Sequence, residues 1–143
     1  MKAKIIVDSC CHVPNAHLPN QPRKGKSACG ILVIDEFGNE NELGNFMGEL
    51  TPPAAEFSGL INALDRAAEF TRADIEIWMD SELVVRWMNG VYKMRKEHIR
   101  PLFDKAKKFE KRYKSVEYFH HSENSALGQR AHRLAEQYYQ STQ

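Results

Sequence analysis

The sequence predicts an α/β domain: a mixed sheet flanked by helices. Two observations carry this. Three strand-like segments follow one another at the start, the second and third joined by a tight turn. After them, helical and strand-like segments alternate to the end. A chain of 143 residues, 42% hydrophobic and 27% charged, suits one domain, residues 1–143, with one sizeable core.

The elements read in order as follows. Lys4-Ile5-Ile6-Val7-Asp8 is short and rich in β-branched residues, so it predicts a strand that Asp8 closes. Ser9 to Lys26 carries Pro14, Pro19, Pro22 and Gly25, which predicts a long loop. Ala28 to Asp35 predicts the second strand, and Glu36-Phe37-Gly38-Asn39 a hairpin turn. Glu40 to Leu50 returns antiparallel, weakened by Gly44 and Gly48. Thr51 can cap a helix whose first position is Pro52, and Phe57, Leu60, Ile61, Leu64 and Ala67 recur at helical spacing. Ile75 to Met79 predicts a buried strand leading into Asp80, and Ser81 to Met88 a short helix ended by Asn89-Gly90. Ile99 to Tyr113 is a basic amphipathic helix, Val116 to Phe119 a fifth strand, and Ala126 to Gln140 a last helix.

Charge is unevenly spread. The net charge is +1, yet Lys93 to Lys114 holds ten basic and three acidic residues, leaving the remainder of the chain at −6. Such a segment suits a polyanionic partner, although a solvated helix face explains it equally well. No apolar run approaches a membrane span, and the apolar run before Asp8 is too short for a signal peptide. A cytosolic (cytoplasmic) protein with no membrane partner is expected. Three cysteines, two of them adjacent, do not suggest a disulfide framework. Cys10, Cys11, His12 and His17 offer metal-ligating atoms, but their spacing fits no standard zinc finger, and a loop is the favoured reading.

Three carboxylates stand out. Asp8 and Asp80 each close a strand, and Glu56 lies near the start of the first long helix. In open α/β sheets, ligands gather at the carboxyl ends of strands. Converging carboxylates repel one another unless cations sit between them, and hard oxygen donors select Mg²⁺ or Mn²⁺. Two such ions roughly 4 Å apart form a clamp for phosphodiester hydrolysis.

Ile5-Ile6-Val7-Asp8, Ala55-Glu56-Phe57, and Trp78-Met79-Asp80-Ser81-Glu82-Leu83-Val84-Val85 with its trailing Gly90-Val91-Tyr92-Lys93 resemble the type 1 ribonuclease H family, most closely its compact bacterial and archaeal members. The likeness also covers the hairpin at Gly38 and Ala131-His132-Arg133-Leu134-Ala135. It implies the ribonuclease H-like fold, a five-stranded mixed sheet in the order 3-2-1-4-5. It also implies an endonuclease that cuts the RNA strand of RNA–DNA hybrids with two Mg²⁺ ions (Mn²⁺ being the alternative), leaving 5′-phosphate and 3′-hydroxyl ends.

By the same resemblance Asp8, Glu56 and Asp80 are metal ligands. His132 stands where the family carries a fourth ligand, an aspartate. His121 matches a loop histidine that assists proton transfer or product release, work that suits an imidazole. The resemblance places Asn15, Ser81, Trp87, Tyr92, Lys93, Arg95 and Lys96 against the nucleic acid. Trp78 and Trp87 also read as core side chains from their own elements.

Pro52-Pro53 replaces the polar residues that usually face the substrate 2′-hydroxyls, contacts on which RNA selectivity depends. The departures at His132 and Pro52-Pro53 leave two alternatives: a junction or structured-DNA nuclease of the same fold, and a catalytically weakened nucleic-acid-binding module. A monomer is the default expectation.

Overall fold

The structure is a computed structural model that describes residues 2–14, 23–121 and 125–142. Its elements run β1 (Ala3–His12), β2 (Gly25–Ile34), β3 (Glu40–Leu50), α1 (Pro52–Ala67), β4 (Asp74–Met79), α2 (Glu82–Met88), α3 (Arg100–Glu110), β5 (Ser115–His120) and α4 (Ala126–Gln140). The strands form one sheet in the order β3-β2-β1-β4-β5. β1, β4 and β5 are parallel to one another, while β1–β2 and β2–β3 pair antiparallel. The mixed α/β sheet and its 3-2-1-4-5 order are as expected.

Strand alternation sends successive side chains of β1 to opposite faces. Ala3, Ile5 and Val7 join Phe57, Leu60 and Leu64 of α1 in the main core, which also takes in Val84, Val85 and Trp87 of α2 and Ala106 of α3. Ile6 and Cys10 face the other way, beneath Ala131 and Ala135 of α4. Helices therefore cover both faces of the sheet. Each fully buried Ile, Leu or Phe contributes about 1.5–3 kcal/mol relative to exposure.

The sheet and α4 meet through very small residues. A Cβ on Gly30 would lie 2.2 Å from the Ala131 carbonyl oxygen and 2.5 Å from the Ala135 nitrogen. One on Gly44 would lie 2.2 Å from the Tyr138 ring. These glycines admit the helix, so Gly44 is a packing residue rather than a weak point of β3.

Two boundaries differ from expectation in a way that matters. β1 does not end at Asp8 but continues to His12, and β2 begins at Gly25 rather than Ala28. Ser9 to His12 lacks β-branched residues, but pairing from Ser9↔Cys29 to His12↔Lys26 holds it extended. α3 is shorter than its amphipathic pattern. It ends at Glu110, and Tyr113 beyond it is buried with its hydroxyl donating to the Leu64 carbonyl.

Candidate active site

β1 and β4 run side by side with Ile6 opposite Trp78, so two residues further on Asp8 is level with Asp80. β4 stops at Met79, while β1 continues paired with β2 alone. The end of the shorter strand leaves a notch, and both aspartates stand at it. The backbone N–H of His121 donates to the Met79 carbonyl at 2.9 Å, and His120 Nε2 lies 3.1 Å from the Asp80 carbonyl oxygen. The exit of β5 is thereby held against the same corner.

A cavity of about 390 Å³ opens here, lined by Asp8, Ser9, Cys10, Asp80, His121, Gly128, Gln129 and His132. Asp8 is only 5% exposed. His132, on α4, places Nδ1 2.8 Å from Asp8 Oδ2, with its side chain largely in solvent. α4 starts at a Ser125 cap whose hydroxyl accepts from the Gly128 N–H and lies 3.2 Å from His121 Nδ1. Gly128 is a close-approach position too, since a Cβ there would come within 2.5 Å of the His121 ring.

Glu56 reaches the same region from α1. Thr51 caps that helix by accepting from the Ala54 N–H at 3.3 Å, and Pro52 occupies a helix-start position where no N–H is required. Pro52 and Pro53 thus have a local structural reason. The Glu56 Oε2 atom is buried and has no hydrogen-bond partner among the described residues, as is also true of Ser9 Oγ.

The electrostatics follow from this crowding. Burial, then the Asp80 charge, push the Asp8 carboxyl up to about 7, against the opposing pull of His132. Burial followed by the Asp80 and Asp8 charges pushes Glu56 up to about 8. The hydrogen bond to Asp8 raises His132 above its ordinary value. Buried carboxylates held together in this way lack a positive charge. Their hard oxygen donors fit a divalent cation such as Mg²⁺ or Mn²⁺. They are spread more widely than a single ion would gather: among the described residues, the donor atoms lying within 4.8 Å of one another are those of Cys10, His12 and Glu136.

Of the residues expected in the site, Asp8, Asp80, His121 and His132 line one cavity, and Glu56 is close enough to feel both aspartates. Asn15 and His17 lie outside the described residues. Ser81 caps α2 by accepting from the Val84 N–H, so its hydroxyl is engaged within the fold. Trp87 needs correction as a nucleic-acid contact. It is 5% exposed and packs on Phe57 with ring centroids 5.9 Å apart, because it sits on the core face of α2. Trp78 is half-buried and stacked on Phe119. Tyr92, Lys93, Arg95 and Lys96 are exposed, and the three cations make no ion pair among the described residues.

The rest of the basic segment is more occupied. Arg100 pairs with Asp104, Lys107 with Glu110, and Arg112 with Asp65. Sequence reasoning missed Gln129, which lines the cavity. Its place three residues before His132 on one helix was the available signal.

A family model described as reverse transcriptase-like matches residues 19–137. A ribonuclease HI of Halobacterium salinarum is 39% identical over 69 residues, which are 48% of this chain and 35% of that protein. The match therefore spans about a third of that relative's length. The crystal structure of RNase H1 from the halophilic archaeon Halobacterium salinarum NRC-1 superposes with a TM-score of 0.81 at 24% identity, over 99% of each chain. LC11-RNase H1, solved in complex with an RNA/DNA hybrid, gives a TM-score of 0.80 at 26% identity, over 98% of each chain.

Proposed function

Since the chain belongs to the reverse transcriptase-like family, with type 1 ribonucleases H as its relatives, we propose that it is an endonuclease hydrolysing the RNA strand of RNA–DNA hybrids with divalent metal ions. The observation that carries this reading is the site itself. Asp8 and Asp80 are level at the end of β4, Glu56 beside them has a buried oxygen without a hydrogen-bond partner among the described residues, and His132 is in contact with Asp8.

Asp8, Glu56, Asp80 and His132 would hold two ions, Mg²⁺ or Mn²⁺. Bound there, the ions would supply an activated water and stabilise the leaving oxygen, giving 5′-phosphate and 3′-hydroxyl ends. The protein groups account for the rest. Asp8 and Glu56, pushed up toward neutrality by burial and mutual repulsion, favour divalent charge over protons as pH rises. His132 steadies Asp8 through Nδ1. His121, on the cavity wall beside the Ser125 hydroxyl, is placed to move a proton at the departing strand. Lys93, Arg95 and Lys96, exposed and without an ion pair among the described residues, together with exposed Tyr92, offer a basic strip for phosphates, a contact that is strong in low salt and indifferent to sequence.

The test is cleavage of an end-labelled RNA–DNA hybrid beside duplex DNA and duplex RNA of the same sequence, in Mg²⁺ and then Mn²⁺. Cleavage confined to the RNA of the hybrid is expected, abolished by Asp80→Asn with hybrid binding largely kept. Undiminished cleavage by Asp80→Asn would refute the site. Pro52-Pro53 at the expected 2′-hydroxyl position supports a second reading, a nuclease for structured DNA of the same fold, and cutting of the all-DNA substrate would favour it.

A further inference from the structure

Asp8, Cys10 and His12 alternate along β1, so all three turn toward α4. α4 answers with His132 and, one turn later, Glu136. The Asp8–His132 contact belongs to the site already described. The next rung along is different in kind. Cys10 Sγ, a His12 ring nitrogen and a Glu136 carboxylate oxygen lie within 4.8 Å of one another. His12 Nε2 is 3.3 Å from Glu136 Oε1, and the His12 ring rests on Tyr139 with centroids 4.1 Å apart. Cys10 is buried, and its Sγ makes a long contact, 3.7 Å, to the Ala135 carbonyl oxygen.

We propose that Cys10, His12 and Glu136 form a second cation site, selective for zinc and ions of similar softness, with water as the fourth ligand. One sulfur, one nitrogen and one oxygen donor suit tetrahedral Zn²⁺ with an open position, and suit Mg²⁺ poorly. The neighbouring site holds three carboxylates with the His132 imidazole and no sulfur. A carboxylate-rich site and a softer, sulfur-bearing one therefore stand side by side, separated along β1 by about 6.6 Å, the advance of two strand residues. The sequence pointed to Cys10, Cys11, His12 and His17, but Cys11 turns to the other side, with Sγ 3.3 Å from the Leu50 carbonyl. The third donor comes instead from Glu136, more than a hundred residues away. On binding, Cys10 gives up its thiol proton to solvent and coordinates as thiolate. The ion ties β1 to α4 next to His132 and stabilises the seating of that helix.

The test uses Co²⁺ as a spectroscopic stand-in for Zn²⁺ on the full chain. One equivalent is expected to produce a thiolate-to-cobalt charge-transfer band that Zn²⁺ abolishes by displacement. The band is expected to survive in Asp80→Asn and to disappear in Cys10→Ser. His12→Ala, at an exposed position that leaves the core untouched, is expected to weaken cobalt affinity by about tenfold or more. Absence of the band at equimolar Co²⁺ means an ion pair only and overturns the proposal. So does unchanged affinity in both His12→Ala and Glu136→Gln. Should Cys10→Ser fail to fold, His12→Ala and Glu136→Gln decide the matter.

Discussion

Replacing Glu56 by Gln should stabilise the metal-free protein at alkaline pH while destroying its activity. The carboxyl sits up at about 8 against an ordinary 4.5, because burial and the charges of Asp80 and Asp8 disfavour its ionised form. The folded state therefore holds the proton more tightly than the unfolded state. Between about 4.5 and about 8 the folded chain binds more protons, so stability falls as pH rises through that window and levels off above it. About 3.5 pH units at about 1.4 kcal/mol each gives on the order of 5 kcal/mol as an upper bound. Even a third of that would move the melting temperature by roughly 6 °C in a domain of this size.

Glutamine keeps the shape and removes the charge. The assay is thermal unfolding in a chelator at pH 5 and pH 8.5, comparing wild type with Glu56→Gln. The two should melt close together at pH 5, and the variant should melt higher at pH 8.5. Added Mg²⁺ should raise the wild type more than the variant, since bound cations supply the missing charge. A variant equally destabilised at both pH values would refute the argument and make Glu56 an ordinary structural residue.

Other outcomes follow from the packing and the charge. Gly30→Ala should cost about 1–3 kcal/mol in chemical denaturation and lower cleavage as well, because its Cβ would press on the α4 backbone at Ala131 and Ala135. Trp87→Ala should cost about 3–5 kcal/mol by core truncation, yet leave hybrid affinity nearly unchanged in binding titrations well below its melting point. Lys96→Gln should weaken hybrid binding and lower the slope of log affinity against log salt by about 1, while Arg112→Gln, already paired with Asp65, should change that slope little.

Much of the fold was legible because its signals are local. α4 begins and ends at Ala126 and Gln140, as its helical spacing predicts. Asp80 follows β4 directly. The extension of β1 through Ser9-Cys10-Cys11-His12 was not legible, because nothing in those side chains favours a strand. Pairing with Lys26 to Cys29 of β2 holds them extended. The position of Trp87 was ambiguous for a similar reason, since a seven-residue helix does not reveal which of its faces meets the core. The basic segment misled in part. Arg100 and Lys107 on α3 and Arg112 just beyond it are drawn to Asp104, Glu110 and Asp65, acids that composition alone cannot pair with them. His132 was legible only by likeness to a motif, whereas its contact with Asp8 spans 124 residues of chain.

That span has a consequence for biosynthesis. Asp8 leaves the ribosome before the rest of the sheet, and His132 emerges only after all five strands have been made. The five strands and α1 can assemble on the nascent chain, yet the corner that holds Asp8 and Asp80 stays open on one side until α4 clears the exit tunnel and docks on Gly30 and Gly44.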